Sequence, residues 1–294
     1  MFRDRDLWLR LLAALLPQRA GYALTKRCAA RSDPARFEWV ASVVAREGER
    51  VLQDPARAAA AARGFVAEIA CDDLDAVTSV LWPRALRRRA TRVEGAEHLP
   101  ASGPVLLVSF HFSGGMRVFE ALGDRRATFL LAANRPGDRR YLRVLEELRR
   151  VYFRRVLDPP WIATGEGARE RLREHLQRGG AVVALVDVAP AEIGLRDHVV
   201  TELFGRPLRL PVGLLRIAAS ERIPVVPFAG RIEDGRRVIR FHPAVVGDDP
   251  ADLLARVLRT FEGVVRAQPE TWQGWLDVDR LFTVEAREGD QRGA

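Results

Sequence analysis

Apolar residues are arranged in two textures along the chain. Up to about residue 88 they recur at three- and four-residue spacing, the period of helices with one buried face. Arg36 to Val51 and Pro55 to Ala70 follow that period, and Asp72 to Leu86 is expected to form a third helix. From Arg92 strands and helices alternate. Val105 to Phe110 is an uninterrupted apolar run apart from Ser109, the pattern of a strand buried on both faces. Ala127 to Ala132, Trp161 to Ala163 and Ala181 to Asp187 read as further strands. Helices are predicted over Met116 to Leu122, Asp138 to Val156, Gly167 to Arg178, Leu208 to Ser220 and Ala251 to Ala267. Pro224 to Ile232 and Arg237 to Phe241 flank Glu233-Asp-Gly-Arg236, whose Asp-Gly centre predicts a two-residue hairpin turn.

Strands alternating with helices predict an α/β fold with a central, largely parallel sheet flanked by helices, preceded by a helical leader. The expected organisation is a helical, membrane-facing region over 1–90, an α/β domain over 91–283 and a loose tail over 284–294. No stretch reaches the roughly 18–20 apolar residues of a spanning helix. Leu7-Trp-Leu-Arg-Leu-Leu-Ala-Ala-Leu-Leu16 is short, holds Arg10 and is closed by Pro17. It reads equally as an interfacial helix on a bilayer or as a first helix packed on the domain.

Composition narrows the chemistry. The net charge is +8, and Lys26 is the one lysine, so the positive charge is carried almost wholly by arginine. Arginine grips phosphate and carboxylate bidentately, which points to anionic ligands, acidic carriers or anionic membrane. Arg84, Arg87, Arg88 and Arg89 form a cluster that is either a solvated helix end or a phosphate contact. Cys28 and Cys71 lack metal-site spacing, and the five histidines are scattered, so no metal is expected. There is no Gly-x-Ser-x-Gly elbow and no Walker loop, and Gly165-Glu-Gly167 lacks the third glycine of a dinucleotide fingerprint. No nucleic-acid-binding module is present in the pattern.

Two polar residues end buried strands. His111 closes the Val105 strand just before Ser113-Gly-Gly115, and Asp187 closes the Ala181 strand. Ligands of open α/β sheets sit at those carboxyl ends. Were the two strands neighbours, the carboxylate would fix the imidazole tautomer while the second ring nitrogen deprotonates a hydroxyl. The competing readings are a histidine satisfied by a carbonyl and an aspartate capping a helix.

Four blocks between Gly103 and Trp275 resemble the lysophospholipid acyltransferase superfamily, most closely its bacterial late lipid A (lauroyl and myristoyl) acyltransferase branch. They are Val105-Leu-Leu-Val-Ser-Phe-His111-Phe-Ser-Gly, Gly180-Ala-Val-Val-Ala-Leu-Val-Asp187, Leu203-Phe-Gly-Arg-Pro207 with Leu210-Pro-Val-Gly213, and Pro269-Glu-Thr-Trp272-Gln-Gly-Trp275. The resemblance implies transfer of a fatty acyl group from acyl carrier protein or acyl-coenzyme A to a hydroxyl of a lipid or glycolipid, with His111 as base and no cofactor. It further implies work at the cytoplasmic face of the bacterial inner membrane, peripheral or N-terminally anchored. The family's His-x4-Asp/Glu signature is broken, because Met116 occupies the acid's position. Asp187, or Glu120 on the face of the helix that carries Met116, is the expected substitute. Backbone amides around Ser113 and Gly114 to Gly115 are expected to hold the oxyanion. The resemblance implies that Gly205 and Arg206 fall in a substrate-facing loop and offers Arg135 in Asn134-Arg-Pro-Gly-Asp138 as a phosphate or carrier contact, with a surface salt bridge as the competing and slightly favoured reading for either arginine. Loss of the acid also admits a non-catalytic lipid- or carrier-binding relative, or a hydrolase that passes the acyl group to water.

Overall fold

The computed structural model describes residues 11–31, 38–131, 140–188 and 197–282. The helical leader contains α1 (Gln18–Ala30), α2 (Glu38–Leu52), α3 (Pro55–Leu81) and α4 (Arg84–Ala90). The two helices expected over Pro55 to Leu86 are one 27-residue helix as far as Leu81. Its start is fixed by Asp54, whose side chain accepts from the Arg57 amide, and by Pro55 in the first turn. Nothing between Ala70 and Asp72 breaks the backbone ladder. Pro83 does, forcing Trp82 to an extended ψ of 141°.

The sheet has seven strands: β1 (Thr91–Glu94), β2 (Val105–Ser109), β3 (Ala127–Leu131), β4 (Ile162–Ala163), β5 (Ala181–Leu185), β8 (Val225–Glu233) and β9 (Arg236–Phe241). They lie in the order β1-β9-β8-β2-β5-β3-β4. Every neighbouring pair is parallel except β8 and β9, which form the expected hairpin. Asp234 and Gly235 at its turn both have positive φ, +51° and +70°, which suits the right-handed twist of the strands. The sheet is thus the largely parallel α/β arrangement that the alternation predicts.

A second hairpin, β6 (His198–Leu203) and β7 (Arg206–Pro211), stands apart as a two-stranded sheet. The helix expected from Leu208 begins only at Gly213, as α8 (Gly213–Glu221). Leu208 and Leu210 are buried while Arg209 between them is exposed, a period of two rather than 3.6. The remaining helices are α5 (Val118–Ala121), α6 (Arg140–Val156), α7 (Ala168–Gln177), α9 (Pro250–Ala267) and α10 (Val278–Leu281).

The alternating side chains of β2 feed two cores. Leu106 and Val108 pack on one face with Val40, Val44 and Phe65 of the leader and Phe261 of α9. Val105 and Leu107 pack on the other face with Phe119, Phe129 and Phe153. Helices α2 and α3 therefore share a core with the sheet. Among the described residues no helix is long and apolar enough to cross a membrane. Residues 1–10, which include the first four of the apolar stretch from Leu7 to Leu16, and the tail over 284–294 lie outside the described residues.

Candidate active site

Strand register brings the two polar strand ends together. Ser109 of β2 pairs with Leu185 of β5, and the Val186 amide donates to the Ser109 carbonyl at 2.9 Å. Two residues further along each strand stand His111 and Asp187. The imidazole Nδ1 lies 2.8 Å from Asp187 Oδ1. The His111 backbone N–H also donates to the carboxylate, at 2.9 Å from Oδ2 and 3.0 Å from Oδ1. The indole of Trp272 donates to Oδ2 at 2.9 Å. The Asp187 side chain is 1% exposed and that of His111 is 41% exposed. A buried carboxylate thus holds Nδ1, which leaves Nε2 as the nitrogen for chemistry.

Electrostatics follow from that contact. Burial acts to lower the His111 pKa, and the charge of Asp187 with its hydrogen bond outweighs it. Asp277 adds to the rise and Arg149 opposes it, so the imidazole sits above its ordinary value.

Glu120 goes elsewhere. The helix expected over Met116 to Leu122 is a 3-10 turn, Gly115–Arg117, followed by the four-residue α5. The Glu120 carboxylate accepts from Arg87 Nε at 2.6 Å and from the Tyr152 hydroxyl at 2.9 Å, all three residues buried. Arg87 is therefore part of a buried ion pair, whereas Arg84 and Arg88 of the same cluster pair with the exposed Asp124. Met116 lines the cavity beside His111 and packs against apolar neighbours.

The glycine loop is already satisfied. The Ser113 amide donates to the Thr271 carbonyl at 2.8 Å, that of Gly114 to Asp72 Oδ1 at 2.7 Å, and that of Gly115 to the Phe112 carbonyl at 3.0 Å. These amides, expected to hold an oxyanion, are engaged within the protein. Ser113 is fully buried, its hydroxyl donating to the Glu68 carbonyl at 3.2 Å. Gly205 forms the tight β6–β7 turn together with Phe204, at φ +74° and +55°. Arg206 turns away from the cavity, to Glu47 Oε2 at 3.2 Å and over the Phe282 ring. Arg135 and its Asn134–Asp138 segment lie outside the described residues.

Three residues beside His111 carried no signal of their own in the sequence. Asp72 of α3 accepts from Gln273 Nε2 at 3.1 Å and lies 3.5 Å from Arg149 Nη2. The Gln273 amide in turn donates to the His111 carbonyl at 2.7 Å. Gln273 sits in the tryptophan block, which could have flagged it, but nothing in the sequence distinguishes Asp72 or Arg149 from their neighbours.

Beneath the loop lies a buried ion pair between α3 and the last hairpin. Arg237, wholly buried, meets Asp75 Oδ2 through Nε at 2.8 Å and Nη2 at 2.7 Å, and approaches Ser113 Oγ at 3.3 Å. Burial acts to raise the Asp75 carboxyl, but Arg237 and Arg117 hold it below the usual range. A Cβ on Gly114, at φ +71°, would fall 2.2 Å from Arg237 Nε, so the loop needs glycine there.

The dyad opens into a cavity of about 530 Å³, inside the roughly 300–1,000 Å³ range of ligand sites. Phe129, Phe153, Trp161, Leu172, Val183 and Ile217 contribute apolar wall, and His111, Asp72, Arg149 and Gln273 form a connected polar group in it. Arg150 and Arg169 add further positive charge. Among the described residues no cluster of side chains has metal-binding geometry.

The sequence model of a family described as bacterial lipid A biosynthesis acyltransferase matches residues 74–278, about seven-tenths of the chain. No curated protein matches. Among solved structures, the 1-acyl-sn-glycerophosphate (LPA) acyltransferase PlsC from Thermotoga maritima is similar at 14% identity. The similarity covers 91% of this chain and 98% of that one, with a TM-score of 0.39.

Proposed function

Since the chain belongs to the bacterial lipid A biosynthesis acyltransferase family, we propose that it moves a fatty acyl group from a thioester donor to a hydroxyl of a lipid or glycolipid acceptor. The observation that carries this reading is the 2.8 Å contact between His111 Nδ1 and the buried Asp187 carboxylate at the mouth of an apolar cavity. His111 Nε2 takes the proton of the acceptor hydroxyl as its oxygen attacks the thioester carbonyl. A carbon–oxygen bond forms and the carbonyl oxygen becomes an oxyanion. The intermediate then collapses, the carbon–sulfur bond breaks, and the leaving thiolate recovers the proton from the imidazolium. Asp187 stabilises that imidazolium without taking the proton.

With the glycine-loop amides engaged, oxyanion stabilisation falls to Arg149 and Gln273, the donors gathered by Asp72 on the cavity wall. The apolar wall suits the acyl chain. Arg150 and Arg169 suit the phosphate of a phosphopantetheine arm, which acyl carrier protein and acyl-coenzyme A both bring. A lipid or glycolipid acceptor would be met at the cytoplasmic face of the inner membrane, with the enzyme held there peripherally or through the N-terminal stretch; the acceptor class is what supports this part of the proposal.

The test is turnover of labelled acyl thioesters with mixed bacterial lipid extract, comparing wild type with His111→Ala, Asp187→Ala and Glu120→Ala. Product that vanishes in His111→Ala, drops sharply in Asp187→Ala and survives in folded Glu120→Ala is the expected pattern. Wild-type protein that consumes no thioester from either donor, yet binds lipid, would sink the assignment.

A further inference from the structure

Resting on the reading of His111 as base, we infer that Trp272 is a positioning residue of the reaction, its indole N–H locking the Asp187 carboxylate in the orientation that serves the imidazole. Trp272 reaches the dyad as part of a strap. Thr271 accepts from the Ser113 amide at 2.8 Å, and the Gln273 amide donates to the His111 carbonyl at 2.7 Å. Phe112 and Trp272 form an antiparallel bridge between them. The segment is thereby in register with the end of β2, and Trp272 is delivered to Asp187 by the same backbone contacts that hold His111.

The indole is fixed in place. Trp272 is wholly buried, with ring centroids 4.7 Å from Trp275, 5.7 Å from Phe110 and 5.8 Å from Phe204. Its N–H sits 2.9 Å from Oδ2, the carboxylate oxygen that is not the partner of Nδ1. The last torsion of an aspartate side chain is soft and roughly two-fold. The His111 backbone N–H meets both oxygens and does not tell them apart, so the indole, the donor committed to Oδ2 alone, is what keeps Oδ1 aimed at the imidazole. An indole N–H also carries no net charge. Arginine or lysine in its place would compete with the imidazolium for the carboxylate, whereas tryptophan leaves the charge of Asp187 to His111. Among the charged groups nearby, Asp277 and Arg149 act on the imidazole in opposite directions, and Asp72 is tied up with Gln273 and Arg149.

Trp275 supplies an internal comparison. It is equally buried and belongs to the same block, but its indole donates to the Pro269 carbonyl at 2.7 Å. A purely structural role for buried indoles would make the two residues equivalent. The experiment compares Trp272→Phe with Trp275→Phe by two readouts: NMR titration of the His111 imidazole in unliganded protein, and the pH dependence of acyl turnover. Trp272→Phe is expected to slow turnover about ten- to a hundredfold. It also moves the imidazole midpoint and the acid limb together to higher pH, because a carboxylate relieved of a donor draws the proton more strongly. Trp275→Phe leaves both midpoints at the wild-type position.

An imidazole midpoint in Trp272→Phe that coincides with wild type, or equal shifts in both variants, would overturn the inference. Should the phenylalanine variant not fold, 3-benzothienylalanine at position 272 keeps the ring shape with sulfur in place of N–H, and the same shift is expected. The NMR arm needs no turnover. Failure of wild-type protein to transfer acyl groups therefore counts against the proposed function, while the titration still decides the role of Trp272.

Discussion

Glu120 and Arg87 form a buried ion pair of 2.6 Å, with side chains 1% and 5% exposed, and it commits the acid to holding α4 against α5. Removing one member of such a pair leaves a charge stranded away from water. Glu120→Ala should therefore cost about 3–5 kcal/mol of folding stability, read as a lower urea midpoint. The turnover number of the folded fraction should stay near wild type. A large fall in that number with unchanged stability would contradict the geometry.

Asp187 should behave in the opposite way. Asp187→Asn keeps the shape, removes the charge and favours the wrong imidazole tautomer, so turnover should fall on the order of 10³–10⁴-fold. The residual activity carries its own signature. In wild type the base must be neutral, and its raised pKa places the acid limb of the rate profile above the ordinary histidine value of about 6.5. Without the Asp187 charge that limb should move to lower pH even as the plateau drops.

The same raised pKa makes His111 a stability element. Its contribution is complete below the unfolded-state pKa of about 6.5 and is lost as pH rises through the higher folded value. His242 has the opposite sign. Burial, then the charges of Arg240, His98 and Arg231, lowers it to about 4. Between pH about 6.5 and about 4 the unfolded chain binds the proton that His242 refuses, so acidification destabilises the fold. Stability curves for His242→Gln should be flatter than wild type across that window. His175, lowered chiefly by burial, retains part of the slope.

Cavity volume should govern chain length. Ala168 of α7 lines the cavity and is buried, so Ala168→Phe places a ring where an acyl chain would lie. The expected outcome is a loss of long-chain transfer with short-chain transfer retained, measured by competition between long and short acyl thioesters. Overpacking should cost about 1–3 kcal/mol, so the assay belongs at a temperature where the variant is folded. Equal loss for both chain lengths would show that the chain lies elsewhere.

The runs of β2 and β5 are legible as buried strands because they are short, rich in valine, opened by Pro104 and Gly180 and closed by polar residues, which is how a strand buried on both faces reads, and those closing residues mark His111 and Asp187. The tryptophan block was equally visible as a motif. Other features were not. Phe204 adopts φ +55° in a two-residue turn, which bulky residues seldom do, so the β6–β7 hairpin had no turn signal and Leu208 looked like a helix start. Helical spacing put Glu120 on the face that carries Met116, but the 3-10 turn at Gly115–Arg117 and the charge of Arg87 sent it elsewhere.

Local sequence, through propensity and period, thus determined which residues end the central strands and what chemistry they bring. The strand order, which inserts β5 beside β2 across about seventy residues of intervening chain, decided that His111 meets Asp187. It also decided that Trp272, from the far end of the chain, closes the carboxylate from behind. Periodicity reports only the neighbours a residue has within its own element. Pairing of distant strands is settled by how the whole set of apolar faces is buried at once, and that balance exists only in the folded chain.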